Sequence, residues 1–98
     1  MYKIKYRKIA RRDILDIVAY IAHNLKNPTA AKRTGEMILA KIETLTSFPH
    51  SHQIFYPIKP LKGEYRKLYA GNYLVLYSVD EKERSVFVER IVYKRRNI

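Results

Sequence analysis

The sequence predicts an α+β fold: a small, mostly antiparallel twisted sheet in the order β-α-α-β-β-β, with an antiparallel helix hairpin packed on one face. Three observations lead to it. The first residues alternate apolar and basic with the period of a strand. Two stretches with apolar residues three and four apart follow, separated by an Asn-Pro step. The last third of the chain holds three strand-like runs divided by short turns. At 98 residues the chain fits one domain over 1–98 and leaves no room for two.

Each element has its own local signal. Tyr2, Ile4 and Tyr6 alternate with Lys3, Lys5 and Arg7, which marks a half-buried strand. Ile14, Ile17, Val18, Ile21 and Leu25 then share one face of a helix. Asp13 and Asp16 stand near its expected start, where the helix dipole favours negative charge, and Asn24 is placed to close it. Asn27-Pro28 opens a second helix: Asn27 can cap the orphan N–H groups, and the Pro28 ring is pre-set for the first helical position. Ala31, Thr34, Ile38, Ile42 and Leu45 form its apolar face, and Pro49 stops it near Ser47. So short a connection folds the helices into an antiparallel pair. Residues 48–63, punctuated by Pro49, Pro57, Pro60 and Gly63, read as irregular. Strands are expected over 65–70, 73–79 and 85–93, with Gly71-Asn72 as a two-residue hairpin turn and 80–84 as a polar turn. One face of this sheet is covered by helices. The other is left open, curved and partly polar, the natural place for a site.

Charge is the most informative bulk property. Twenty Lys and Arg against nine Asp and Glu give +11. Six of the basic side chains fall within residues 1–12, which hold no acidic one. Such an excess favours polyanions through Coulomb attraction and counterion release. RNA, DNA, the ribosome, an anionic membrane surface and an acidic protein all satisfy it. A content of 47% hydrophobic and 12% aromatic residues, regularly spaced, excludes a disordered tail. The absence of cysteine excludes a disulfide framework, a cysteine zinc site and a cysteine nucleophile, and suits a reducing cytoplasm. No apolar run approaches the roughly 18 residues of a spanning helix, and the alternating start predicts no signal peptide. The amphipathic helices are explained by their own sheet, so no membrane role is expected.

Few motifs carry chemistry. There is no P-loop and no glycine-rich dinucleotide turn, so no cofactor is expected. His23, His50 and His52 lack a neighbouring cluster of carboxylates and read as exposed histidines rather than metal ligands. The strands are more telling. Arg66 is in phase with Leu68 and Ala70, and Arg90 with Val88 and Val92, so both arginines interrupt apolar alternation. Each either snorkels or pairs with a carboxylate such as Glu64 or Glu89, or points into an open groove and binds phosphate through its planar fork. Tyr93, opposite in phase to Arg90 unless a bulge intervenes, either packs or offers a stacking face and a proton. Lys59 and Lys62, in the proline-rich loop, are solvated or reach a phosphate. Lys94, Arg95 and Arg96 form a basic tail suited to target binding.

Several strings, taken in order, resemble the RelE/ParE superfamily of bacterial toxins over nearly the whole chain. They are Asp13-Ile-Leu-Asp-Ile-Val-Ala-Tyr-Ile21, Ala30-Ala31 opening the second helix, and Leu45-Thr-Ser-Phe-Pro49. After them come Tyr65-Arg-Lys-Leu-Tyr-Ala-Gly-Asn-Tyr-Leu-Val-Leu-Tyr-Ser-Val-Asp80 and Arg90-Ile-Val-Tyr-Lys-Arg-Arg-Asn97. The resemblance implies a type II toxin held inactive by a cognate antitoxin, whose toxin-binding segment is extended and often acidic. It also implies one of two targets. RelE-like members cut mRNA on the ribosome, which needs a base for the 2′-hydroxyl, positive groups for the phosphorane and an acid for the leaving oxygen. By position Arg66 and Arg90 resemble that branch's phosphate-binding arginines, Tyr93 its tyrosine or histidine, and Lys59 and Lys62 its lysines. ParE-like members inhibit DNA gyrase without nuclease chemistry.

Leu74 stands where many members carry arginine, and the long helix hairpin with its aspartate-rich start is more similar to the ParE branch. The expectation is therefore a cytoplasmic growth-inhibiting toxin, with gyrase favoured over the ribosome. It is an enzyme only under the second reading. A degenerate toxin that merely forms complexes is the third reading.

Overall fold

The structure is a computed structural model, and it describes residues 1–56 and 63–95. Lys59, Lys62 and Arg96 lie outside the described residues. The elements run β1 (Lys3–Tyr6), α1 (Lys8–Ala19) extended by a π-helical turn (Tyr20–Asn24), α2 (Pro28–Glu43) closed by a 3-10 turn (Thr44–Thr46), β2 (Arg66–Ala70), β3 (Tyr73–Asp80) and β4 (Ser85–Tyr93). The sheet order is β1-β4-β3-β2. Neighbours β2–β3 and β3–β4 are antiparallel, whereas β1 lies parallel to β4, Lys3 opposite Ser85 and Tyr6 opposite Val88. This is the expected α+β class, a mixed sheet with the helix pair on one side.

The helices form where their apolar stripes meet the sheet. Ala10 from α1 and Ile38, Ile42 and Leu45 from α2 and its 3-10 turn are fully buried. They pack on Leu68, Ala70, Val75, Tyr77, Val86, Val88 and Ile91 of the sheet. Burying a Leu or Ile side chain contributes roughly 1.5–3 kcal/mol, so this cluster is the chief source of stability. The opposite face is not bare: Leu74, Leu76 and Val92 form a second small apolar cluster beneath Phe55.

Two helix ends follow their sequence signals. The Asn27 side-chain oxygen accepts from the Ala30 N–H at 3.1 Å, with Pro28 in the first turn. The first helix finishes in a wide turn, where the Leu25 N–H reaches back five residues to the Tyr20 carbonyl at 3.2 Å. Its start is earlier than the aspartates suggest. Because Ala10 is small enough to lie flat against the sheet, α1 begins at Lys8, directly after β1. Asp13 is thereby carried to the middle of the helix, and its first turn holds no acidic residue.

The strands also depart from strict alternation at one point. The register slips between Leu76 and Tyr77, which face Arg90 and Val88, so Glu89 is the extra residue of a bulge. Val88 therefore packs in the main core while Val92 joins the small cluster on the other face. Arg90, opposite Leu76, shares a phase with Val92 and not with Val88. The segment before β2, expected to be irregular, contributes an antiparallel bridge from Ile54 to Arg66.

Candidate functional site

Arg66 opens β2 on the helix side, directly across from Tyr77. Its guanidinium donates to the His52 carbonyl at 2.7 Å and to the His50 carbonyl at 3.5 Å. It also pairs with Glu64 at 3.3 Å, and only 19% of its side chain is exposed. The Tyr77 hydroxyl donates to the Pro49 carbonyl at 2.6 Å. Arg66 and Tyr77 together bind the loop after α2 onto the sheet. Burial pushes the Tyr77 hydroxyl up to about 12, an effect the nearby Arg66 charge partly offsets. Burial, then the charges of Lys41 and Arg66, lowers the pKa of His52.

Arg90 is held from the other side. Its Nε donates to Asp13 Oδ2 at 2.8 Å and its Nη2 to Oδ1 at 3.2 Å, a two-pronged fork. The same Oδ2 accepts the Ile91 backbone N–H at 2.9 Å. The position explains the chemistry. β1 pairs with β4 only as far as Val88, so beyond that point β4 has an open edge whose donors need acceptors. The Asp13 carboxylate, 12% exposed, takes the place of the missing strand. The Asp13 hydrogen bond raises the Arg90 pKa against the opposing effect of burial.

Tyr93 lies at the end of β4 on the helix side, paired with Tyr73, with their rings edge-to-face at 5.9 Å. Its side of the sheet is therefore the one away from Arg90's register position. Among the described residues, no hydrogen bond or shared partner joins Arg66, Arg90 and Tyr93. Lys94 and Arg95 follow β4 and, with Tyr69 and Gly71, line a shallow exposed hollow of about 470 Å³.

A second polar cluster occupies the open face. Ser78 donates to Glu89 at 2.7 Å, and Arg7 Nε donates to the same carboxylate at 3.2 Å. The Arg7 guanidinium also lies 4.2 Å from the Phe87 ring centre. Arg7, Ser78 and Glu89, with His50, Tyr65 and Arg66, border a cleft of about 450 Å³. Glu81 near its rim is held below the usual carboxylate range by the Tyr2 and His50 hydrogen bonds. The alternation of Lys3, Lys5 and Arg7 marks this face as polar in sequence. Nothing in that pattern points to Glu89, because the bulge that places it forms only when β3 and β4 pair. Among the described residues, no cluster of His, Asp or Glu is suited to hold a metal. No helix among them is long and apolar enough to cross a membrane.

A four-stranded mixed sheet with a helix pair on one face recurs in solved toxin–antitoxin structures. The chain resembles the chromosomal ParDE toxin–antitoxin system of P. aeruginosa with a TM-score of 0.75 at 17% identity, over 95% of this chain and 96% of the other. A RelBE toxin–antitoxin complex from Mycobacterium tuberculosis gives 0.67 at 17% identity, over 94% and 96%. The archaeal RelE–RelB complex from Pyrococcus horikoshii gives 0.63 at 16% identity, over 97% of each. At such identities the likeness is one of fold. The sequence itself carries the assignment: residues 4–98 match the family described as the ParE toxin of the type II toxin–antitoxin system parDE, and the chain belongs to that family. A search of curated proteins gives no significant match.

Proposed function

We propose that this type II toxin stops growth by binding its target, DNA gyrase, and not by cutting RNA. The observation that carries this reading is the engagement of both candidate arginines by acceptors within the chain: Arg66 by the His52 carbonyl at 2.7 Å and Arg90 by Asp13 at 2.8 Å. A guanidinium that neutralises a phosphorane has to be turned towards the substrate. Freeing Arg90 would leave the largely buried Asp13 carboxylate without its charge partner. The two arginines then act as fold residues, and target contact falls to the basic surface, with Lys94 and Arg95 at its C-terminal end. Lys59, Lys62 and Arg96 belong to that basic set by sequence.

The partner is a cognate antitoxin, as in the ParDE and RelBE complexes of the same fold, with an acidic toxin-binding segment to match a net charge of +11. The unit is one toxin domain over 1–98, acting in the cytoplasm where its target resides. Expression without antitoxin arrests growth; harmless expression would reduce the chain to a complex-forming relic.

The discriminating test is a translating cell-free extract given the purified, antitoxin-free chain, with mRNA 5′ ends mapped. Intact mRNA is expected. Cuts at ribosome-occupied codons, lost in Arg66→Ala, would establish the ribonuclease reading and overturn this one.

A further inference from the structure

The helix side of the sheet ends in an aromatic cleft of about 600 Å³. Its walls are Tyr20 of the π-helical turn, Tyr73 of β3 and Tyr93 of β4, and Asp16 of α1 stands at its border. Ile17, Ile21 and Leu25 supply the remaining aliphatic surface. The Tyr73 and Tyr93 rings meet at 81°, two walls at a right angle. Tyr20 completes the third side: its phenol and that of Tyr93 lie close enough to raise the Tyr73 pKa further, after burial. Tyr20 and Tyr93 remain 55% and 46% exposed, so their faces are open to a ligand.

Charge makes this cleft unusual. The chain carries +11, yet among the described residues no Lys or Arg lines this cleft. Its single charged group among those residues is Asp16. Among the described residues Asp16 has no ion-pair partner within 4.0 Å, although Asp13 on the same helix is fully engaged with Arg90. The wide turn at Tyr20–Asn24 sets Tyr20 and Ile21 in the wall and brings Leu25 after them. Such turns recur at functional sites.

We propose that this cleft is a cation cage that takes the side chain of an arginine or lysine presented by a protein partner. The electron-rich faces of three tyrosines attract a guanidinium or ammonium, and the Asp16 carboxylate adds a direct charge partner. The aliphatic surface accommodates the stem of the incoming side chain. A neutral apolar side chain would cover Asp16 and leave it unpaired, which is costly. A partner that is acidic along most of its contact with this basic chain therefore carries one cationic anchor here, and that anchor fixes its register. The cage does not depend on which target the toxin inhibits. Unchanged supercoiling would leave it standing, and its own failure would leave the gyrase reading intact.

The test uses the purified full-length chain and tyrosine ring signals in NMR spectra, titrated with N-acetyl-arginine amide and with its neutral isostere N-acetyl-citrulline amide. The arginine compound should shift Tyr20, Tyr73 and Tyr93 saturably, and the citrulline compound should bind at least about threefold more weakly. Asp16→Asn, a near-isosteric change at an exposed position, should weaken arginine binding by about threefold or more. Tyr93→Phe should keep the binding and Tyr93→Leu should lose it, with unchanged melting of each variant as the check on folding. Equal binding of both compounds, or no shift of these rings with either, would overturn the cage.

Discussion

Asp13 shows how one side chain changes meaning between sequence and structure. Read locally it is a helix-start residue; in place it is the acceptor for both Arg90 and the Ile91 N–H, 77 and 78 positions away. Removing one partner of a largely buried pair strands the other, so Asp13→Ala and Arg90→Ala should each cost about 2–4 kcal/mol of unfolding free energy. The double variant should cost less than the sum, since the second loss removes an already orphaned group. Urea denaturation of the three proteins measures this, and an Arg90→Ala chain as stable as the parent would refute the structural role. Tyr77 supplies a pH dependence. Its folded pKa, about 12, lies above the usual tyrosine value of 10.0, so the folded state holds this proton more tightly. Its contribution is whole below pH 10 and is lost as pH rises towards 12. Denaturation midpoints should fall across that window, and Tyr77→Phe, which has no such proton to lose, should show a shallower fall.

Elements were legible where their signals are local. The alternation of Tyr2, Ile4 and Tyr6, the Asn27-Pro28 start and the Gly71 turn each specify backbone within a few residues, and each is found in place. Asn27→Ala should cost about 1 kcal/mol through the lost cap to Ala30. Gly71→Ala should cost more than about 1 kcal/mol. Its φ is +58, and an added Cβ would meet Met37 Cε at 2.9 Å. Thermal melts of the two variants check both. What stayed hidden arises only on pairing: the parallel β1–β4 ladder, the Glu89 bulge that separates Arg90 from the phase of Val88, and the early start of α1 permitted by Ala10. The candidate site suffered most, because its three residues sit where those long-range features act. Arg66 and Arg90 stand out in the sequence because they interrupt apolar alternation, and Tyr93 because it ends the last strand; their neighbours Asp13, His52 and Tyr73 cannot be read from spacing.

At the scale of the whole molecule, the fold divides labour between two faces. The helix side buries the core and holds the aromatic cleft at its end. The other side lays Lys5 and Arg7 against Phe87, pairs them with Glu83 and Glu89, and carries the small apolar cluster of Leu74, Leu76 and Val92.

Inhibition by binding is tested by gyrase supercoiling of relaxed plasmid with purified enzyme. The antitoxin-free chain should block supercoiling in a dose-dependent way, and Arg90→Lys, which retains a donor for Asp13, should block it comparably. Unimpaired supercoiling at a large excess of folded chain, alongside cleaved mRNA in a translating extract, would contradict inhibition by binding and return Arg66, Arg90 and Tyr93 to catalysis.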